Sequence, residues 1–128
     1  MTIADYCLLA AVILWLAPIG LAKAIGFKDY DNARPRAGAF FESGWRARAL
    51  GAHQNGLEAL PFFAAAVLLA EFRSAPQGLI DSLAAGFVVA RIAYLAAYLG
   101  NRALLRSTIW TLGFLINVCL FLSPLAKG

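Results

Sequence analysis

Charged side chains are missing from three long stretches of the chain, residues 6–22, 59–70 and 107–126. Each stretch, or most of it, suits one bilayer crossing of about 20 residues. The last is apolar nearly all round, whereas a buried helix of a soluble domain carries a polar stripe at helical spacing. A further apolar segment, 78–99, is interrupted by Asp81 and Arg91. The pattern predicts four helices at about 3–25, 46–72, 78–99 and 102–125, with boundaries soft by a few residues. The connection over 26–44 is long and polar and carries Pro35 and Gly38, whereas 73–77 and 100–101 are tight turns. The expected fold class is all-α: a single integral membrane four-helix bundle over 1–128. The first span carries Asp5 and no preceding Lys or Arg, and its apolar run is longer than a signal-peptide core, so it is expected to stay uncleaved.

Composition agrees. The 128 residues are 62% hydrophobic and 14% charged, against roughly half and a quarter in soluble domains. Lys23, Lys28, Arg34, Arg36, Arg46 and Arg48 gather around the first connection, and Arg102 and Arg106 around the third; the opposite side has Arg73 and Lys127. The positive-inside rule then directs both termini away from the cytoplasm. The net charge of +4 is thereby topological, and no nucleic-acid partner is expected. Cys7 and Cys119 read as small apolar side chains with neither metal-ligand spacing nor a disulfide framework, and no metal site is predicted.

The informative residues are the polar ones inside the spans. Helical spacing aligns Arg48, Ala52, Asn55, Glu58 and Phe62 on one face of the second helix. Glu58 falls roughly 15 Å inside that helix, near the middle of a hydrocarbon core about 30 Å thick. A carboxylate at that depth must be paired or lose its charge. Arg91, roughly 12 Å deep on the third helix, is the expected partner, either in a structural ion pair or across a water-accessible pocket. Arg91, Tyr94 and Tyr98 form a polar ridge toward Asn101 and Arg102. Pro61 is expected to bend the second helix one turn beyond Glu58. Arg106, with Arg48, Asn55 and Tyr98, places several donors where a polyanionic ligand can be held, while Arg102 reads as a snorkelling cation. His53, Gln54 and Asn117 are expected to hydrogen-bond between helices.

The segment Arg48-Ala-Leu-Gly-Ala-His53-Gln54-Asn55-Gly-Leu-Glu58 resembles the second-helix signature of the MAPEG family, membrane-associated proteins in eicosanoid and glutathione metabolism. Arg91-Ile-Ala-Tyr94 through Tyr98 is similar to its third-helix motif. Arg106-Ser107 resembles the Arg-Ser pair that opens helix 4 in its prostaglandin E synthase branch, and Asp31-Asn32-Ala-Arg34-Pro35-Arg36 resembles loops of bacterial members. The resemblance covers essentially the whole chain. It implies a homotrimer in a bacterial inner membrane, surrounded by lipid, with glutathione as co-substrate held between subunits near the cytoplasmic side.

On that resemblance Arg106 stabilises the thiolate and Ser107 orients it, while Arg48, Asn55, Glu58, Arg91, Tyr94 and Tyr98 hold the tripeptide. The implied activity is glutathione transfer or peroxide reduction on small hydrophobic electrophiles or lipid hydroperoxides, through a thiolate favoured by the neighbouring cation. Three positions depart from the pattern: Gln54 replaces an Arg common in active members, Tyr94 a His and Trp110 a Tyr of the synthase branch. They leave fewer charges and one hydroxyl less in the pocket, and prostaglandin synthesis is not supported. The alternatives are a non-catalytic member that binds a lipid headgroup or another anion in the same site, and a small proton-coupled multidrug transporter. Arg91 at the depth of Glu58 counts against the transporter.

Overall fold

The structure, a computed structural model, describes residues 1–126; Lys127, one of the two cations assigned to the termini side, lies outside the described residues. It contains four long helices, α1 (Ile3–Ile25), α2 (Gly44–Phe72), α3 (Gln77–Leu99) and α4 (Ala103–Leu122), with short 3-10 turns at Gly38–Phe41 and Ser123–Ala126. Strands are absent among the described residues. All four helices are long and apolar enough to cross a membrane. α2 and α3 each pack on the three other helices, and α1 and α4 flank them.

The ends explain the small shifts from the predicted boundaries. α2 starts two residues early because Gly44, with φ of 64°, turns the chain into the helix. α4 gives way to a 3-10 turn at Ser123, where Pro124 has no amide to continue the ladder and Ser123 Oγ donates to Leu120 O at 2.7 Å. The tight turns close α2 and α3 in the same way. Ser74 and Asn101 adopt positive φ, and the following amides reach back, Ala75 N to Ala70 O at 2.9 Å and Arg102 N to Ala97 O at 2.8 Å. α2 continues unbroken through Pro61.

Small residues let the helices approach closely. Ala4, Cys7 and Ala11 of α1 join Ala66, Ala70 and Ala84 in one buried cluster, centred on the stacked rings of Phe63 and Phe87 at 4.1 Å. At the termini end, Thr2 and Asp5 form a reciprocal cap, and Asp81 of α3 accepts the Ala4 amide at 3.0 Å. At the loop end, Phe41, Ala22 and Ala49 make a second small cluster. Arg46 pins the loop there by bonding Asp29 at 2.7 Å and lying over Phe40. The packing leaves a recess between α2, α3 and α4, on the loop-end half of the bundle.

Candidate functional site

Two adjoining hollows occupy that recess. The outer one, of about 440 Å³, is lined by Gly51, Gln54, Asn55, Glu58, Tyr94, Tyr98, Arg106, Ser107, Trp110 and Thr111. The inner one, an apolar slot of about 180 Å³, shares Asn55, Glu58, Tyr94 and Trp110 with it and continues past Phe62, Phe87, Arg91 and Phe114 to Asn117. A polar hollow therefore adjoins an apolar one.

The polar side chains are ordered by contacts across the helices. Arg91 is buried; its guanidinium donates to Asn55 Oδ1 at 2.9 Å and lies 4.3 Å from the centre of the Tyr94 ring. Asn55 Nδ2 in turn donates to Glu58 Oε2 at 3.5 Å. The direct Glu58–Arg91 ion pair expected from equal depth is thus replaced by a relay. Residues 55 and 58 are neighbours on one helical face, so the amide of Asn55 reaches the cation while the Glu58 carboxylate stays open to the hollow. Tyr98 packs edge-on to Tyr94, with centres 5.6 Å apart, and its other side carries the Arg106 guanidinium at 4.6 Å. Among the described residues no carboxylate pairs with Arg106, leaving its charge available to a ligand.

Two residues of the sequence-derived set are engaged otherwise. Arg48 lies outside both hollows, and its Nε donates to Leu99 O at 3.0 Å, tying α2 to the end of α3. Ser107 lines the mouth, but its hydroxyl donates to Ala103 O at 3.1 Å. With that proton committed, Oγ can accept a hydrogen bond from a thiol but cannot donate one to a thiolate. His53 does join helices: Nδ1 lies 2.9 Å from Trp15 O, and the two rings stack at 5.4 Å. Because the carbonyl can only accept, Nδ1 carries the proton. Asn117 departs from expectation, since its enclosed Oδ1 has no hydrogen-bond partner among the described residues.

Gly51 was missed by sequence reasoning. A Cβ there would sit 2.9 Å from Tyr98 Cζ, so the bare backbone makes the seat for the Tyr98 phenol. Its signal was a lone glycine inside a polar helical face, which marks close approach of another group. No cluster of His, Cys, Asp or Glu suited to a metal ion occurs among the described residues.

These residues sit in a chain that matches the MAPEG family model over residues 3–126. The chain belongs to the MAPEG family. No curated protein and no solved structure matches it. MAPEG membership fits the four helices long and apolar enough to cross a membrane.

Proposed function

We propose that this MAPEG protein is a glutathione-dependent transferase or peroxidase acting as a homotrimer, with its site in the cytoplasmic half of a bacterial inner membrane. The observation that carries the reading is the outer hollow, where the unpaired Arg106 and the open Glu58 carboxylate face one space beside Asn55, Gln54 and Tyr98. Glutathione has two carboxylates and one ammonium. Arg106 suits an anionic group, Glu58 the ammonium, and the two amides the peptide carbonyls.

Support for the trimer comes from Glu58 itself. It falls midway along a membrane-spanning helix, yet it is exposed on the single chain. A carboxylate at that depth is not left against lipid, and a neighbouring subunit closing over α2 and α4 would cover it. The exposed Leu57, Phe62, Trp110 and Phe114 on the same side suit such a contact.

In the proposed reaction the thiol gives up its proton to water at the mouth, and Arg106 favours the thiolate by its charge. Sulfur then attacks the electrophilic carbon of a substrate in the apolar slot; the C–S bond forms and the leaving group departs with its electron pair. With a hydroperoxide, sulfur attacks the terminal oxygen, the O–O bond breaks to leave a sulfenic acid on glutathione and an alkoxide that takes a proton from water, and the thiol of a second glutathione attacks that sulfur to form the disulfide as the sulfenic oxygen departs as water. Ser107 assists the thiolate only after leaving Ala103 O. That geometry, with Gln54 and Trp110, also favours a second reading: a member that holds glutathione or another anion without turning it over.

Turnover of a chloronitrobenzene with glutathione by the purified protein in lipid nanodiscs separates the two. Conjugate formation lost in Arg106→Ala supports the enzyme. Glutathione-dependent thermal stabilisation without conjugate supports the binding protein. Absence of both effects would overturn the glutathione reading.

A further inference from the structure

The end of α1 and the loop after it hold a second group of cations, outside the recess between α2, α3 and α4. The Lys23 ammonium lies 4.9 Å from the centre of the Tyr30 ring, Tyr30 meets Phe40 edge-on at 5.2 Å, and the Arg46 guanidinium lies 4.5 Å from the centre of Phe40. Gly26 brings this group together. A Cβ there would fall 2.8 Å from Phe40 Cζ and 2.9 Å from Arg46 Nη2, so ring and cation both rest on the bare end of α1, one turn beyond Lys23. Two cations thus flank one pair of rings. α1 is just long enough to cross a core of about 30 Å, which puts its last turn, with Lys23, at the level of the lipid headgroups.

The ion pairs around this group leave its charge unbalanced. Asp29 is bonded to Arg46 at 2.7 Å and Asp31 to Arg34 at 3.0 Å, whereas Lys23 and Lys28 pair with no carboxylate among the described residues. The remaining acid of the loop, Glu42, follows the buried Phe41 on the far side of the 3-10 turn. Beside the two free lysines, Leu21 and Ile25 share an exposed face of α1, and Phe27 is exposed next to Lys28. We propose that this corner is a binding site for an anionic phospholipid. Its phosphate accepts hydrogen bonds from the Lys23 and Lys28 ammonium groups, and one acyl chain lies along Leu21 and Ile25. Net negative charge is preferred because Asp29 and Asp31 are already engaged, which leaves the ammonium of a zwitterionic headgroup without a counter-ion beside the two lysines. The ring pair gives Lys23 a fixed place, which a cation snorkelling freely does not have.

The test is competition between phosphatidylglycerol and phosphatidylcholine of equal chain length for the full-length protein in uncharged detergent, with retained lipid counted by native mass spectrometry. A cation beside an anionic headgroup is worth about fivefold in affinity. The wild type should therefore prefer phosphatidylglycerol by about twenty-five-fold, fivefold for each free lysine. Lys23→Gln and Lys28→Gln should each remove about fivefold, and the double variant should hold the two lipids equally. Arg102→Gln removes the same charge from the same end of the bundle, at the start of α4, and should keep the wild-type preference. Equal retention by the wild type, a preference that survives in the double variant, or an equal loss in Arg102→Gln overturns the proposal. Displacement of phosphatidylglycerol by inorganic phosphate, but not by chloride at the same ionic strength, would also overturn it by showing a site for free phosphate. No thiol enters the assay, so its outcome is independent of the glutathione reading.

Discussion

The Arg91 guanidinium donates to Asn55 Oδ1 at 2.9 Å, and this bond joins α3 to α2 inside the bundle. A neutral amide thus accepts the buried cation and passes its polarisation to Glu58 through Nδ2. Replacing Asn55 with Leu removes the acceptor and strands a charge in a nearly closed site. The expected cost is about 2 kcal/mol, measured as a shift in detergent-induced unfolding. Asn55→Asp keeps an acceptor for Arg91 but sets a second carboxylate beside Glu58, and should unfold between Asn55→Leu and the wild type. Wild-type stability in Asn55→Leu would show that Arg91 has another acceptor.

Glu58 is open to the hollow and, among the described residues, is bonded by the long contact from Asn55 alone. Glu58→Gln should therefore leave the fold of each subunit intact while weakening glutathione binding about tenfold or loosening the assembly. Circular dichroism checks the first, and calorimetric titration with size-exclusion chromatography the second. A variant with wild-type binding and wild-type size would place Glu58 outside both roles.

Gly51 leaves the seat that the Tyr98 phenol occupies, and Tyr98 carries Arg106 on its face. Gly→Ala within a helix ordinarily stabilises by up to about 1 kcal/mol. At this position the sign reverses in function: Gly51→Ala displaces the phenol and should weaken glutathione binding about fivefold, equivalent to about 1 kcal/mol of lost cation–π contact. Gly51→Ala combined with Tyr98→Phe removes the clashing hydroxyl but keeps Cζ within 2.9 Å of the new Cβ, and should recover only part of the affinity. Absence of recovery would show that Gly51 acts through something other than Tyr98.

In the long loop, the Arg34 side chain, with the Ala33 amide, holds the Asp31 carboxyl below its ordinary range. A lowered folded-state value means that the contribution to loop order is present above the unfolded value and is lost as pH falls through the folded one. Asp31 is solvent-accessible, so the effect is local. Limited proteolysis of residues 27–37 should accelerate in acid, and Asp31→Asn should show the faster cleavage already at neutral pH with helix content unchanged. Equal cleavage of variant and wild type at neutral pH would exclude an ordering role for the Asp31 carboxylate.

The four spans were legible because lipid imposes a period-free apolar signal that needs no tertiary information; the end of α4 slipped only where Pro124 forces a tighter turn. The candidate site was legible as chemistry more than as geometry. Depth arithmetic brought Glu58 and Arg91 to one level, but side-chain reach, invisible in spacing, inserted Asn55 between them. Arg48 shares a helical face with Asn55, yet the free carbonyl at the end of α3 captures it. The stranded oxygen of Asn117 and the bare seat at Gly51 depend on what other helices do or do not present, which no single helix encodes.

Native mass spectrometry of the protein released from nanodiscs in the presence of glutathione tests the central claim most directly. The account predicts a trimer carrying up to three glutathione molecules, all lost in Arg106→Ala while the trimer persists. A monomer, a trimer without glutathione, or equal occupancy in Arg106→Ala would contradict it.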